Sequence, residues 1–258
     1  MKKTKPVKNT EHKIETKASN EQVAHWNHLY QLFNERPLDD SNLMVSLGLF
    51  MRSSALAKIL FIHELYEMIK NKPGIIVEFG CFWGQNLVLF ENLRAIYEPF
   101  NPSRRIVGFD TFSGYEGFSD FDRRNPFVSE NTHSTTHGYK EYLESLLKFH
   151  EQNNVLKEIK KTELIEGNCI ETVPKYFHDN PEAMVALAYF DMALYEPTKA
   201  ALKAIKPRLM PGSILLMDEF NNRDMPGETV AFREVFSGVK YEIQTSKFIA
   251  DRSIVVIT

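Results

Sequence analysis

Apolar residues are distributed along the chain in three regimes. Up to Lys17 they are almost absent, and Lys2, Lys3, Lys5, Lys8, Lys13 and Lys17 make residues 1–19 a solvated basic tail. From Asn20 to about Lys70, Trp26, Leu29, Tyr30, Phe33 and their neighbours recur at spacings of three and four, the period of amphipathic helices. These helices are expected to cap a sheet or to bind a second subunit. Beyond them short apolar runs alternate with helical stretches, the pattern of βα units around a parallel sheet. Strands are predicted at Ile75 to Phe79, Ile106 to Phe109, Glu163 to Glu166, Val185 to Phe190 and Ile214 to Met217. Helices are predicted near Asn86 to Tyr97, Ile170 to Phe177, Thr198 to Arg208 and Thr229 to Phe236. Several strands are apolar at every position, as strands covered on both faces must be.

Two features depart from regular alternation. The last two runs, Tyr241 to Thr245 and Ser253 to Ile257, are separated by too few residues for a helical crossover, so they are expected to pair as an antiparallel hairpin. The stretch from Ser113 to Lys161 is far longer than the usual connection of about 2 to 6 residues. Its first part is polar and aromatic, with Tyr115, Phe118, Phe121, Phe127, His133 and His137; its second, Tyr139 to Lys160, reads as helix. An insertion beside the carboxyl edge of a sheet is placed to act as a lid, so residues 113–161 are read as a substrate cover.

At 258 residues, 43% hydrophobic and 25% charged, the chain has the composition of one soluble globular domain, with residues 20–258 as its body. A net charge of -3 argues against a nucleic-acid binder, which needs a basic surplus to displace counterions, and a small substrate is expected instead. Two cysteines, Cys81 and Cys169, are too few for a disulfide framework. A reducing, cytoplasmic setting is expected, without signal peptide or membrane span.

Glu78-Phe79-Gly80-Cys81-Phe82-Trp83-Gly84-Gln85-Asn86 ends a strand in an acid and opens a helix through a glycine turn. Ligands of open α/β sheets bind at such carboxyl ends. The glycines stand four apart, which is not the dinucleotide spacing, and Glu78 would repel a pyrophosphate but accept a cationic, amino-acid-bearing ligand. The helix amino terminus can hold that ligand's carboxylate. Alternatively, Gly80 and Gly84 simply make a tight turn. Asp110 ends the second strand, where it either accepts hydrogen bonds from ribose hydroxyls or caps a turn. Gly167-Asn168-Cys169 after the third strand either reads an adenine edge or forms an asparagine turn. Trp83 and Phe112 line the pocket or pack in the core, and His63 on its helix reads as packed.

Val77 to Gln85, Gly108-Phe109-Asp110-Thr111-Phe112-Ser113-Gly114, Asp191-Met192-Ala193-Leu194-Tyr195-Glu196-Pro197-Thr198 and Leu209 through Asp218-Glu219-Phe220 resemble, in order, the blocks of the macrocin O-methyltransferase family. The resemblance spans roughly residues 45 to 236. It implies a Rossmann-like class I methyltransferase fold, in which a mostly parallel sheet ends in an antiparallel hairpin; the N-terminal helical cap and the inserted lid are read from the chain's own pattern, and the basic tail and the long insertion lie outside the resemblance. S-adenosylmethionine would lie against Glu78, Gly80, Cys81, Phe82, Trp83, Gly84, Asn86, Asp110, Thr111, Gly167, Asn168 and Asp191. The family's metal ligands fall on Asp191, Asp218 and Glu219, implying Mg²⁺ or Mn²⁺. Two positions depart from the family: Ala193 stands where it has a second aspartate, and Glu219 replaces an aspartate.

The activity implied is methyl transfer to a sugar hydroxyl, of a nucleotide-linked sugar or glycosylated metabolite, assisted by a divalent cation. Surface polysaccharide synthesis is one setting, and a homo-oligomer is expected. Asp191, His133 and His137 are the candidate catalytic residues. Two rivals stay open: a non-catalytic S-adenosylmethionine sensor, suggested by Ala193, and a nicotinamide dehydrogenase, suggested by Asp110.

Overall fold

The structure, a computed structural model, describes residues 18–125, 128–130 and 132–258. All but the last two residues of the expected basic tail lie outside the described residues, as does Phe127 of the expected lid. The chain divides into two compact units, the first ending at Ser53 and the second running from Ser54 to Thr258.

In the first unit, α1 (Asn20–Asn34) and α2 (Asp40–Val45) begin where side chains satisfy otherwise free backbone donors. Ser19 accepts from the Gln22 amide at 3.3 Å while the Gln22 side chain accepts from the Ser19 amide at 2.9 Å, a reciprocal capping box. Asp39 accepts from the Asn42 amide at 2.8 Å. Phe33 meets Phe50 edge to face at 5.1 Å, and the Arg52 guanidinium lies 4.2 Å from the centre of the Trp26 ring.

The second unit opens with α3 (Ser53–Ile69) and is built on a sheet of β1 (Ile75–Phe79), β2 (Ile106–Asp110), β3 (Thr162–Glu166), β4 (Val185–Phe190), β5 (Ile214–Met217), β6 (Tyr241–Thr245) and β7 (Ser253–Ile257). Their order is β3-β2-β1-β4-β5-β7-β6. The first five run parallel, and β7 is antiparallel to both β5 and β6, as the short gap between the last two runs requires. The connecting helices are α4 (Gln85–Tyr97), α5 (Tyr139–Gln152), α6 (Cys169–Asp179), α7 (Tyr195–Ile205) and α8 (Gly227–Val235).

Side chains alternate across the sheet, so each strand feeds two cores. Ile75, Val77 and Phe79 join Val173, Phe177, Leu202 and Phe232 of α6, α7 and α8 on one face. Ile76, Leu187 and Tyr189 join Phe61, Leu65, Leu87, Phe90 and Leu143 of α3, α4 and α5 on the other. Burying a single such aliphatic or aromatic side chain contributes about 1.5 to 3 kcal/mol, which is why these runs sit where they do despite the entropy they lose. Glu78 shares its parity with Ile76, so the sheet turns a carboxylate toward the second core.

The helix expected through Lys160 stops at Gln152. Asn153 and Asn154 follow, and the buried Glu151 carboxylate folds back to accept the amides of Lys161 and Thr162, the latter at 2.6 Å. Those two bonds close a turn into β3 that a continuing helix would forbid.

Candidate active site

Strand order reverses between β1 and β4, whose connections leave in opposite directions and open a crevice at their carboxyl ends. The loops after β1, β2, β4 and β5 meet there. Each holds a non-glycine residue in the left-handed region: Phe82 (φ 49°), Phe112 (φ 55°), Ala193 (φ 59°) and Asn221 (φ 61°). Such conformations cost of order 1 to 3 kcal/mol each and persist only where surrounding structure imposes them.

In the turn after β1, glycine is demanded by the chain itself. A Cβ on Gly80 would lie 2.1 Å from the Asp191 carbonyl oxygen, and one on Gly84 2.4 Å from Leu143 Cδ2. The first contact draws the turn onto the loop after β4. Cys81 is buried, its thiol directed at the carbonyls of Glu78 and Phe109, and burial pushes its pKa up. Phe82 and Trp83 pack ring on ring at 4.8 Å; Trp83 is 37% exposed, and its carbonyl accepts from Tyr139 Oη at 2.9 Å.

Glu78 is 1% exposed, and its pKa is pushed up to about 8 by burial, against the opposing pull of Asn86 and the Lys58 charge. Asn86 Nδ2 donates to Glu78 Oε1 at 2.7 Å, while Oε2 is buried without a hydrogen-bond partner. A buried acceptor in that state costs about 1 to 3 kcal/mol and marks a place where a cationic ligand group fits.

Asp110 accepts from the Phe82 amide at 2.8 Å and the Phe112 amide at 2.6 Å, tying the β1 turn to the end of β2. Burial raises its pKa against the pull of those amides. The Cys81 and Thr111 amides pull on it as well, so the capping alternative is met, and hydroxyl binding would draw on the acceptor capacity a carboxylate has beyond these. Thr111 is engaged locally, its hydroxyl donating to the Gly114 carbonyl at 2.7 Å. Asn168 caps α6 by accepting from the Ile170 amide at 3.0 Å, and the Gly167 amide donates to the Asp110 carbonyl at 2.9 Å.

Asp191, Asp218 and Glu219 follow β4 and β5 as expected. Burial, then Asp218, drives the Asp191 carboxyl well above the usual carboxylate range; burial likewise raises Asp218 and Glu219. They do not gather into a closed metal site. Arg252, in the turn between β6 and β7, forms an ion pair with Asp218, and Glu219 accepts from Asn222 Nδ2. Among the described residues no three His, Cys, Asp or Glu side chains are placed to hold a metal ion together. Carboxylates on adjacent loops are the donors a hard cation takes; here Asp218 raises the pKa of Asp191 and Glu219, while Lys58 and Arg252 supply opposing positive charge.

The insertion lies across this crevice. Val128 is buried with Ala193 and Leu194, and Tyr115, Phe118 and Met225 pack against them. Ala193, where the family has an acid, is therefore an apolar position. Asp122 Oδ1 accepts from the Tyr195 amide at 2.8 Å, supplying the first turn of α7 with the cap its own sequence lacks. His133, exposed at its outer edge, lies tilted between the rings of Phe82 at 5.6 Å and Tyr115 at 5.2 Å, and the desolvation these impose lowers its pKa. His137 is exposed, just before α5. Tyr115 faces Asp191, Glu219, Glu228 and Asp218, which together with burial raise its pKa.

Three residues of this region were not singled out in the sequence, Lys58, Arg252 and Glu228, and Tyr115 was noted only as one aromatic of the insertion. Glu228, at the start of α8, is fully buried; Oε1 accepts from the amides of Met192 and Ala193, both at 3.2 Å, and Oε2 from that of Glu219 at 3.1 Å. It joins the two acid-bearing loops. Its one legible signal is an acid in the first turn of a helix, which any solvated helix also shows.

No family model matches the chain. It is similar to the calicheamicin methyltransferase CalS11, with 37% identity, coverage of 94% of both chains and a TM-score of 0.86. The apo structure of that enzyme, described as a TDP-rhamnose 3'-O-methyltransferase of calicheamicin biosynthesis, matches with 35% identity over 93% of this chain and 96% of that one, TM-score 0.81. The 8-demethyl-8-(2,3-dimethoxy-alpha-L-rhamnosyl)-tetracenomycin-C 4'-O-methyltransferase of Streptomyces olivaceus is 25% identical over 161 residues, 57% of this chain and 53% of that enzyme. The chain thus spans about half the length of this curated relative.

Proposed function

The chain belongs to the sugar O-methyltransferase family it resembles, of the Rossmann-like class I, S-adenosylmethionine-dependent kind, and from that premise we propose that it methylates a hydroxyl of a nucleotide-linked deoxysugar of the rhamnose type. The observation that carries the acceptor class is the end-to-end likeness to a TDP-rhamnose methyltransferase. Family membership sets aside the nicotinamide dehydrogenase.

In the proposed reaction the acceptor oxygen attacks the sulfonium methyl in line. An O–C bond forms as the C–S bond breaks, the electron pair passes to sulfur, and the hydroxyl proton leaves to a base; the products are a methyl ether, S-adenosylhomocysteine and a proton. Most of the rate gain comes from aligning oxygen, carbon and sulfur. Glu78 and the turn from Gly80 to Asn86 would hold the donor's amino-acid end, Asp110 with Thr111 its ribose, and Gly167 and Asn168 its base. Of the two histidines His133 is the one set between Phe82 and Tyr115 beside the β1 turn, which makes it the better placed to take the proton, and desolvation favours its neutral form. Asp191, whose pKa is raised, is the alternative base. His137 would act only if the insertion moved inward, and that insertion is proposed as the cover of the acceptor.

A divalent cation, if held by Asp191, Asp218 and Glu219, would polarise the acceptor hydroxyl. What supports it is the surplus of buried carboxyls; what it requires is that Asp218 exchange Arg252 for the ion. Exposed Met44, Val45 and Leu49 support self-association of the chain, and the buried free thiols Cys81 and Cys169 support a reducing, cytoplasmic setting. No helix among the described residues is long and apolar enough to cross a membrane.

The test is incubation of the protein with S-adenosylmethionine and TDP-rhamnose, followed by mass detection of both products. A methylated nucleotide sugar and matching S-adenosylhomocysteine are expected. Tight S-adenosylhomocysteine binding without product from any nucleotide sugar would leave the non-catalytic sensor as the better account.

A further inference from the structure

The insertion brings one hydroxyl into the acid-lined crevice and leaves it unspent. Tyr66, Tyr139, Tyr189 and Tyr195 each engage a protein partner through Oη: Glu98, the Trp83 carbonyl, Lys58 and Glu234 in turn. Tyr176 lacks one, but it lies in the hydrophobic core. Tyr115 differs from both. Among the described residues its Oη has no hydrogen-bond partner, yet it faces Asp191 and, more weakly, Glu219, Glu228 and Asp218.

Its place is fixed by the backbone on either side. The Thr111 hydroxyl holds the Gly114 carbonyl at 2.7 Å, and the Tyr115 amide donates to the Thr132 carbonyl at 3.2 Å beside a bridge to Glu130. The ring packs against the cluster of Val128, Ala193 and Leu194 and lies 5.2 Å from that of His133. A phenol therefore stands over the position where the resembled family has an aspartate and this chain a methyl group.

We infer that Tyr115 is an acceptor-binding residue, whose Oη donates to the sugar hydroxyl next to the one that is methylated and so holds the reacting hydroxyl beside Asp191 and His133. The inference rests on the sugar-methylation reading above and deepens it, because it makes a pair of neighbouring hydroxyls the feature recognised. The neighbouring oxygen is the fitting partner, since a donor on the attacking oxygen would draw off the electron density that the new bond needs. A phenol is a donor at neutral pH, and burial among acids holds it so. The rival duty is packing alone, for which the ring suffices and the hydroxyl is dispensable.

Tyr115→Phe keeps the ring and removes only the hydroxyl, so calorimetry with S-adenosylhomocysteine bound separates the two. The variant is expected to bind TDP-rhamnose roughly 5- to 100-fold more weakly than the wild-type protein, the usual cost of leaving a buried polar partner unmatched, and S-adenosylhomocysteine within about twofold. With analogues of TDP-rhamnose each lacking one ring hydroxyl, the difference between the two proteins should vanish for the analogue missing a neighbour of the methylated hydroxyl and persist for the others. Unchanged affinity for TDP-rhamnose, an equal loss of S-adenosylhomocysteine, or a difference that survives on every analogue overturns the inference. So does a difference that vanishes only when the methylated hydroxyl itself is missing. A wild-type protein that binds S-adenosylhomocysteine but neither binds nor methylates any nucleotide sugar overturns instead the reading on which the inference rests.

Discussion

Replacing Glu228 by alanine is expected to destabilise the protein by an amount that depends on pH. The carboxylate accepts three amides, those of Met192, Ala193 and Glu219, in fully buried surroundings. Stranding a buried donor costs about 1 to 3 kcal/mol, so the gross loss is roughly 3 to 9 kcal/mol. Against it stands the cost of burying the acid, whose pKa rises from 4.5 to about 8, chiefly by desolvation. A group whose folded pKa is raised favours the folded state fully below its unfolded value and loses that contribution as pH climbs to the folded one. At 1.36 kcal/mol per unit the wild-type penalty is about 3 kcal/mol at pH 7 and less than about 1 kcal/mol at pH 5. The variant escapes it. Alanine should therefore destabilise by roughly 0 to 6 kcal/mol at pH 7 and by about 2 to 3 kcal/mol more at pH 5. Urea unfolding of both proteins at the two pH values, followed by circular dichroism, measures the difference. A loss independent of pH, or greater at pH 7, would refute the reasoning.

Asp110→Ala is expected to weaken S-adenosylhomocysteine binding by about 1 to 3 kcal/mol in calorimetry, through lost ribose contacts and a freed Phe82 turn; an unchanged dissociation constant in a folded variant refutes the assignment. Exhaustive chelation is expected to abolish methyl transfer while leaving S-adenosylhomocysteine binding largely intact, with Mg²⁺ or Mn²⁺ restoring turnover; full activity without metal returns proton removal to His133 or Asp191 alone. Hydrogen exchange over residues 113–137 should slow when donor analogue and nucleotide sugar are both present, and equal exchange throughout would make the insertion a fixed decoration.

The sheet was legible because its signals are local. Val185 to Phe190 is an unbroken apolar run and Ile75 to Phe79 one interrupted only by Glu78, both buried at every position, and seven intervening residues were enough to fix β6 and β7 as a hairpin. The end of α5 was not, because it is set by Glu151 reaching the amides of Lys161 and Thr162 rather than by helix propensity. The same division holds in the crevice. The ends of β1, β2, β4 and β5 announce Glu78, Asp110, Asp191 and Asp218, and Asn86 and Phe112 beside the first two are close in sequence, but the cations of the site come from far along the chain. Lys58 meets Tyr189 across 131 residues, and Arg252 reaches Asp218 from the hairpin turn. Nothing in the local pattern distinguishes Lys58 from any other lysine on an amphipathic helix. The glycines at 80 and 84 allowed either a ligand's close approach or a tight turn, and the contacts that first require them belong to Asp191 and Leu143.

Glu228 also bears on how this scaffold can be recombined. Since one side chain of α8 holds the loops after both β4 and β5, those loops are not interchangeable parts, although β5 separates them in sequence. A chimera that imports the segment from β5 through α8 from a relative, while keeping the native loop after β4, inherits an acceptor whose three donors were fitted elsewhere. Crossovers placed before β4 or after α8 carry the whole bridge across intact, and substitutions on either side of it should combine non-additively.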